Sequence, residues 1–191
     1  AKICLDALKF DAQYSHGDIG WEFWRTEGES FPQRTIDLLE ASDAALFGAI
    51  TSKPARDAEA ELVPELQGKG LAYRSPIVRM RQRFDLFTCL RPCKAYPGNP
   101  LNYKEGIDLV IFRENTEGLY AGVEFSPVPD ELKAALVKLS KPFAHFADIP
   151  GDEFAITCKV NTQKGCDRII RAAFEYAKLH GLPKVTVVHK A

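Results

Sequence analysis

Between Asp108 and Phe125 the chain reads DLVIFRENTEGLYAGVEF: an apolar run ending in Arg113, the turn-prone ENTEG, and a second apolar run. Two strands this close in sequence leave no room for a helix between them, whereas parallel neighbours need a crossover of a dozen or more residues. Elsewhere strand-like and helix-like segments alternate. DAALFGAI, DLFTCLRP, EFAITCKV and KVTVVHK read as strands. The first is a short continuous apolar run of the kind buried on both faces. A further strand is expected from Ala12 to His16. PQRTIDLLEAS, SPIVRMRQRF, DELKAALVKLS and QKGCDRIIRAAFEYAKLHG carry helical spacing, and Ile3, Leu5 and Leu8 form the tail of another helix. Ser75 is the expected N-cap of its helix with Pro76 at the first helical position, and His180–Gly181 is a stop signal. This alternation, with one adjacent strand pair, predicts an α/β protein with at least one mixed sheet. The Pro/Gly-rich AYPGNP at 95–100 is the expected hinge.

Composition narrows the function classes. A chain of 191 residues can hold one large domain or two small lobes. A formal charge of -1 offers no bulk attraction to nucleic acid or anionic lipid. No apolar run approaches the roughly 20 residues of a membrane span, and no signal-peptide pattern opens the chain. Neither nucleic acid nor membrane is therefore expected as a partner, and the expected location is cytoplasmic. The five cysteines are an odd number without a CxxC pair, so they read as small core residues rather than a zinc or disulfide framework. Ala1 starts inside a helical pattern without a cap and KVTVVHKA stops abruptly, so a fragment of a longer chain is expected.

The arginines carry the chemical signal. On the helix from Ser75 to Phe84, Ile77, Arg81, Phe84 and the preceding Arg74 share one side at 100° per residue. Arg79 and Arg83 fall on the other, as a solvated face. Arg81, on the apolar side, needs an anionic partner, since an unpaired buried charge is costly. That partner is either a ligand or a structural acid. Arg91 ends DLFTCLRP and Arg113 ends DLVIF, and ligands gather beyond the carboxyl ends of strands in open α/β sheets. Three guanidinium forks converging there would suit a small polycarboxylate. The alternative pairs Arg113 with Glu114, Glu117 or Glu124. Tyr120 is either a structural phenol or a proton donor, and Lys190 either snorkels or serves as a base. There is no P-loop, no GxGxxG and no nucleophile motif, and the four histidines lack metal-pair spacing.

Taken in order, LFGAITSKP, RSPIVRMRQRFDLFTCLRPCKAYPG, DLVIFRENTEGLYAGVE, RIIRAAFEYA and VTVVHKA resemble the isocitrate and 3-isopropylmalate dehydrogenase family over most of residues 46–191. The resemblance implies a two-lobed fold with mixed sheets and an incomplete large domain, 1–96 belonging to the large cofactor-side domain and 97–191 to the small, dimer-forming one. It places Arg81, Arg91 and Arg113 on the substrate's carboxylates, Ser75 on its distal carboxylate, Tyr120 and Lys190 as catalytic residues, and Thr51 near NAD or NADP. Ile77 and Val78 stand where an apolar substrate group would be received, as in isopropylmalate, while Ser75 and RENTEGLYAG lean towards isocitrate. A divalent metal, Mg2+ or Mn2+, is implied, with ligands and the main cofactor loop beyond residue 191, and so is a homodimer with shared active sites. A non-catalytic regulatory subunit is the competing member of the family. It would have lost catalytic side chains that this sequence keeps. By itself the 191-residue chain is expected to be inactive; an isocitrate- or isopropylmalate-dependent NAD(P)H signal from it would overturn that expectation.

Overall fold

The computed structural model describes residues 2–51, 53 and 55–189, and the chain divides into two compact units, Ala1–Met80 and Arg81–Ala191. The first unit is helical: α1 (Lys2–Ala7), α2 (Trp21–Glu27), α3 (Gln33–Glu40), α4 (Ala55–Ala58) and the start of α5 (Pro76–Arg83). Its core forms around α2. Trp21 and Trp24 lie three residues apart on one helix face and pack with Ala58, Leu62, Leu66 and Tyr73. The Tyr73 ring meets both indoles edge-on, at 4.9 and 5.4 Å between centroids. The buried Trp24 Nε1 donates to the Ala58 carbonyl at 2.8 Å, so the indole is buried with its polar atom satisfied. Gly28 ends the helix in the left-handed region (φ 72°), its N–H donating to the Trp24 carbonyl. In α3, Thr35 is buried with its hydroxyl donating to the Asp18 carbonyl at 2.6 Å.

The second unit contains two antiparallel ladders. β1 (Thr88–Lys94) pairs with β2 (Asp108–Glu114), in the register Thr88↔Glu114 through Lys94↔Asp108. β3 (Gly118–Phe125) pairs with β4 (Ile156–Val160). The segment at 95–100 lies in the β1–β2 connection. α6 (Asp130–Leu139) precedes β4, and α7 (Gln163–Leu179) packs on β2 with the Tyr176 ring against Phe112 at 5.2 Å. Thr162 caps α7, its hydroxyl accepting from Gly165 N at 3.0 Å. The Glu117 carboxylate accepts from Thr162 N and Oγ1 at 2.8 and 2.6 Å, which places a negative charge at the positive end of the helix.

Several expectations need correction. Both ladders among the described residues are antiparallel, so no mixed sheet is formed by them. The run at 43–50 and the described part, 184–189, of KVTVVHK read as strands but have no ladder partner among the described residues, and Leu46, Val187 and Val188 are exposed. A strand exists only through its hydrogen-bonded neighbour, whatever its own propensity. Ala12–His16 is likewise not a strand, and α2 lies in a stretch where no element is expected. The cysteines are not core residues: Cys4 and Cys166 are exposed and the other three half-buried. Arg79 is not on a solvated face, since it pairs with Glu29 and covers the buried Phe31 ring, its guanidinium carbon 5.8 Å from the centroid. No described helix is long and apolar enough to cross a membrane.

The α7 cap yields a test. A Cβ at position 165 would fall on the Glu117 carboxylate. Gly165→Ala should therefore destabilise the full-length protein by about 1–3 kcal/mol, the usual range for overpacking. The check is the shift of its urea midpoint.

Candidate functional site

Two arginines of the second unit approach the Tyr120 ring. The Arg113 guanidinium carbon is 4.9 Å from the phenol ring centroid and that of Arg81 is 5.7 Å. All three side chains are half-buried. Arg81 comes from the last turn of α5, Arg113 from the end of β2 and Tyr120 from β3. The aim of Tyr120 depends on a β-bulge. Gly118 pairs with Val160 and Val123 with Cys158, so residues 119–122 stand opposite a single residue. Gly118 (φ 69°) and Gly122 (φ 67°) bracket that bulge in a conformation that favours glycine.

The acids nearest to these arginines are engaged elsewhere. Glu114 accepts from the Thr116 hydroxyl at 2.6 Å and from the backbone N–H groups of Thr116 and Glu117 at 2.9 and 2.7 Å. Glu117 caps α7. Asp85, one turn beyond Arg81, holds Arg168 Nη1 at 2.7 and 2.9 Å. Glu124 sits further along β3, opposite Thr157. Among the described residues neither Arg81 nor Arg113 is in an ion pair. Their positive charge faces the phenol.

Arg91 shares a sheet face with Arg113. Cys89 stands opposite Arg113 in the β1–β2 ladder, and residues two apart in a strand share a face, so Cys89, Arg91 and Arg113 are on the same side of the sheet. Arg91 is exposed, and its Nε donates to Cys89 Sγ at 3.3 Å. The expectation that both arginines cap carboxyl ends of strands is corrected here. Arg91 is mid-strand in β1, and it meets Arg113 by sharing a face of an antiparallel pair.

Ser75, Ile77 and Val78 belong to the first unit and are half-buried. Ser75 sits at the N-cap position of α5, its carbonyl accepting from Arg79 N at 3.1 Å. Thr51 is exposed and lines an open groove of about 450 Å³ with Gly20, Trp21, Ile50, Lys53 and Glu61. Lys190 lies outside the described residues. No cluster of three or more His, Cys, Asp or Glu side chains among the described residues is placed to hold a metal ion.

One residue escaped the sequence pattern. Arg168 holds Asp85, donates to the Thr116 hydroxyl at 2.6 Å, approaches Glu114 at 3.4 Å and lies 4.5 Å from the Phe87 ring centroid. A signal was present: Arg168 shares the buried stripe of α7 with Gly165, Ile169, Ala172 and Tyr176, as Arg81 shares its helix side with Ile77 and Phe84.

Comparison with known proteins places the chain. The profile of the isocitrate/isopropylmalate dehydrogenases matches residues 2–191. The chain belongs to this family. Among its relatives, protein DlpA of Legionella pneumophila is 39% identical over 97% of this chain and 29% of its own length. An isocitrate dehydrogenase [NADP] of Staphylococcus aureus is 34% identical over 90% of this chain and 37% of its own length. A 3-isopropylmalate dehydrogenase of Methanothermobacter thermautotrophicus is 33% identical over 98% of this chain and 44% of its own length. The crystal structure of isocitrate dehydrogenase from Methylococcus capsulatus superposes with a TM-score of 0.66 at 28% identity, covering 93% of this chain and 42% of that one. The chain thus spans less than half the length of these relatives. Its fold class, helices and strands of an isocitrate dehydrogenase-like fold, is as the resemblance implied.

The geometry around Glu114 predicts a pH response. Burial pushes its carboxyl up, but the hydrogen bonds from the Thr116 hydroxyl and from the Glu117, Thr116 and Asn115 amides outweigh this and hold it below the ordinary value of 4.5. A depressed carboxyl contributes stability that is complete above its unfolded value and lost as the pH falls through its folded value. Urea midpoints of the full-length protein should therefore fall on acidification below pH 4.5. In Glu114→Gln that fall should be shallower.

Proposed function

We propose that the whole protein is an NAD(P)-dependent decarboxylating dehydrogenase of a 2-hydroxy di- or tricarboxylic acid, with isocitrate as the first candidate and 3-isopropylmalate as the alternative. One observation carries the reading. Arg81 and Arg113 both approach the Tyr120 ring and neither is in an ion pair among the described residues, so the cluster is complementary to a carboxylate placed against a phenol.

In this reading Arg81 and Arg113 grip substrate carboxylates, Arg91 adds a third contact from the same sheet face, and Ser75 receives the distal carboxylate. Thr51 and its groove take the nicotinamide end of NAD or NADP, which when bound accepts a hydride from the substrate. The loss of carbon dioxide leaves an enol whose carbon needs a proton, and the Tyr120 hydroxyl supplies it. The described residues do not bring three or more His, Cys, Asp or Glu side chains together as a site for Mg2+ or Mn2+. Lys190 is proposed as the base for the substrate hydroxyl, acting across a homodimer, in a cytoplasmic enzyme. Half-buried Ile77 and Val78 favour the alternative substrate, since two branched side chains suit an isopropyl group. Such a pocket discriminates by only about 1–3 kcal/mol per methylene.

The test is kinetic, on the full-length protein with both substrates. Tyr120→Phe should lower kcat by about 10²- to 10⁴-fold, the range of general acid catalysis, with KM little changed. Arg113→Gln should cost about 1.5–3 kcal/mol in kcat/KM, the worth of a hydrogen bond to a charged group. Full activity in both variants, with either acid, would end the dehydrogenase reading of this site.

A further inference from the structure

Of the acids close in sequence to Arg81 and Arg113, Arg168 holds Asp85 and approaches Glu114. Asp85 follows Arg81 by four residues, just past the end of α5 and with a left-handed backbone (φ 47°), and its carboxylate lies on Arg168 Nη1 at 2.7 and 2.9 Å. Glu114 follows Arg113 directly, yet it is turned into the ENTEG turn, with Arg168 Nη2 at 3.4 Å. The Thr116 hydroxyl joins the two, donating to Glu114 and accepting from Arg168 Nη2 at 2.6 Å. The Arg168 side chain is 20% exposed, and it lies over the Phe87 ring at 4.5 Å. The planar fork explains why an arginine stands here. Its two terminal nitrogens point at acids on two different segments, the α5–β1 connection and the end of β2.

We propose that Arg168 is a positioning residue that sequesters Asp85, and thereby keeps Arg81 free for the substrate's carboxylates. The proposal rests on the reading of that arginine given above. Without Arg168 the Asp85 carboxylate, four residues from the unneutralised Arg81, is released, while Glu114 stays held by its own turn. An internal carboxylate competes with an external one at high effective concentration, so substrate affinity falls. The chemistry at Tyr120 is untouched once the substrate is bound. Arg168 is therefore a KM residue, and its effect depends on the acid it restrains.

The experiment uses the full-length protein with isocitrate and 3-isopropylmalate, following KM and kcat beside the thermal midpoint. Arg168→Gln should raise KM about tenfold with kcat within about twofold, the inverse of the pattern for a group acting only in the transition state. Adding Asp85→Asn to Arg168→Gln should recover most of the lost affinity, because the released competitor is gone. Asp85→Asn alone should leave KM within about twofold, since that acid is already restrained. If Arg168→Gln does not fold, Arg168→Lys takes its place. It keeps the charge but cannot span both acids, and about a three- to fivefold rise with the same rescue is expected. An unchanged KM, or a raised KM that Asp85→Asn fails to recover, overturns the proposal. A fall in the thermal midpoint without a change in KM overturns it too, since it marks Arg168 as structural only. Arg113→Gln, run alongside, separates the two levels: if it leaves kcat/KM unchanged, the site reading itself has failed.

Discussion

Two guanidinium groups that approach one phenol ring, with no ion pair among the described residues, are the constraint that the second unit is arranged around. Half-buried like charges repel, and a protein built only for stability would place an acid between them. Three acids stand close enough in sequence to do so, and each is held by other partners. Asp85 is on Arg168, Glu114 is in its own turn, and Glu117 is at the start of α7. Those partnerships also hold the turn, the cap and the α5–β1 connection in place. The same contacts that build the local fold therefore leave the site its charge.

The backbone supplies the other half of the arrangement. An antiparallel ladder sets Arg113 opposite Cys89 and beside Arg91, so two of the arginines share a face by register alone. The second ladder breaks its register between Gly118 and Val123, and Tyr120 falls in that break. Regular alternation would have committed Tyr120 to one face of β3; the bulge frees it from that rule.

Much of this was legible in the residues. The helix from Pro76, the strands around DLVIF and LYAGVEF, and α7 followed from spacing, caps and stop signals, and the stretch from Arg113 to Tyr120 marked itself by charge inside apolar sequence. The association of Arg81 with an apolar helix side was legible too, though whether a ligand or an acid would answer it was not. That depended on where Asp85, Glu114 and Glu117 turn, and side-chain direction in a turn is set by tertiary partners. Arg168 was missed because it is remote in sequence from the turn it restrains, although its place on a buried helix stripe gave a hint. The runs at 43–50 and 184–189 show the opposite failure. Their composition is that of buried strands, but pairing is a property of two segments, and composition describes one. The first unit hid α2 in the same way: its signals were two flanking glycines and a tryptophan pair at i and i+3, weak singly and decisive only once Tyr73 and Leu62 cover them.

The glycine pair around Tyr120 has a bearing on how such chains diverge. Neither Gly118 nor Gly122 offers a functional group, and around Gly122 there is open space for a methyl. What a side chain there would disturb is the positive φ, and with it the direction of a phenol two residues away. A descendant could therefore keep every arginine and the tyrosine intact and still lose the reaction through the appearance of one β-carbon. Inventories of reactive groups would score that descendant as complete, because the information that aims them is written in residues that have no side chain to count.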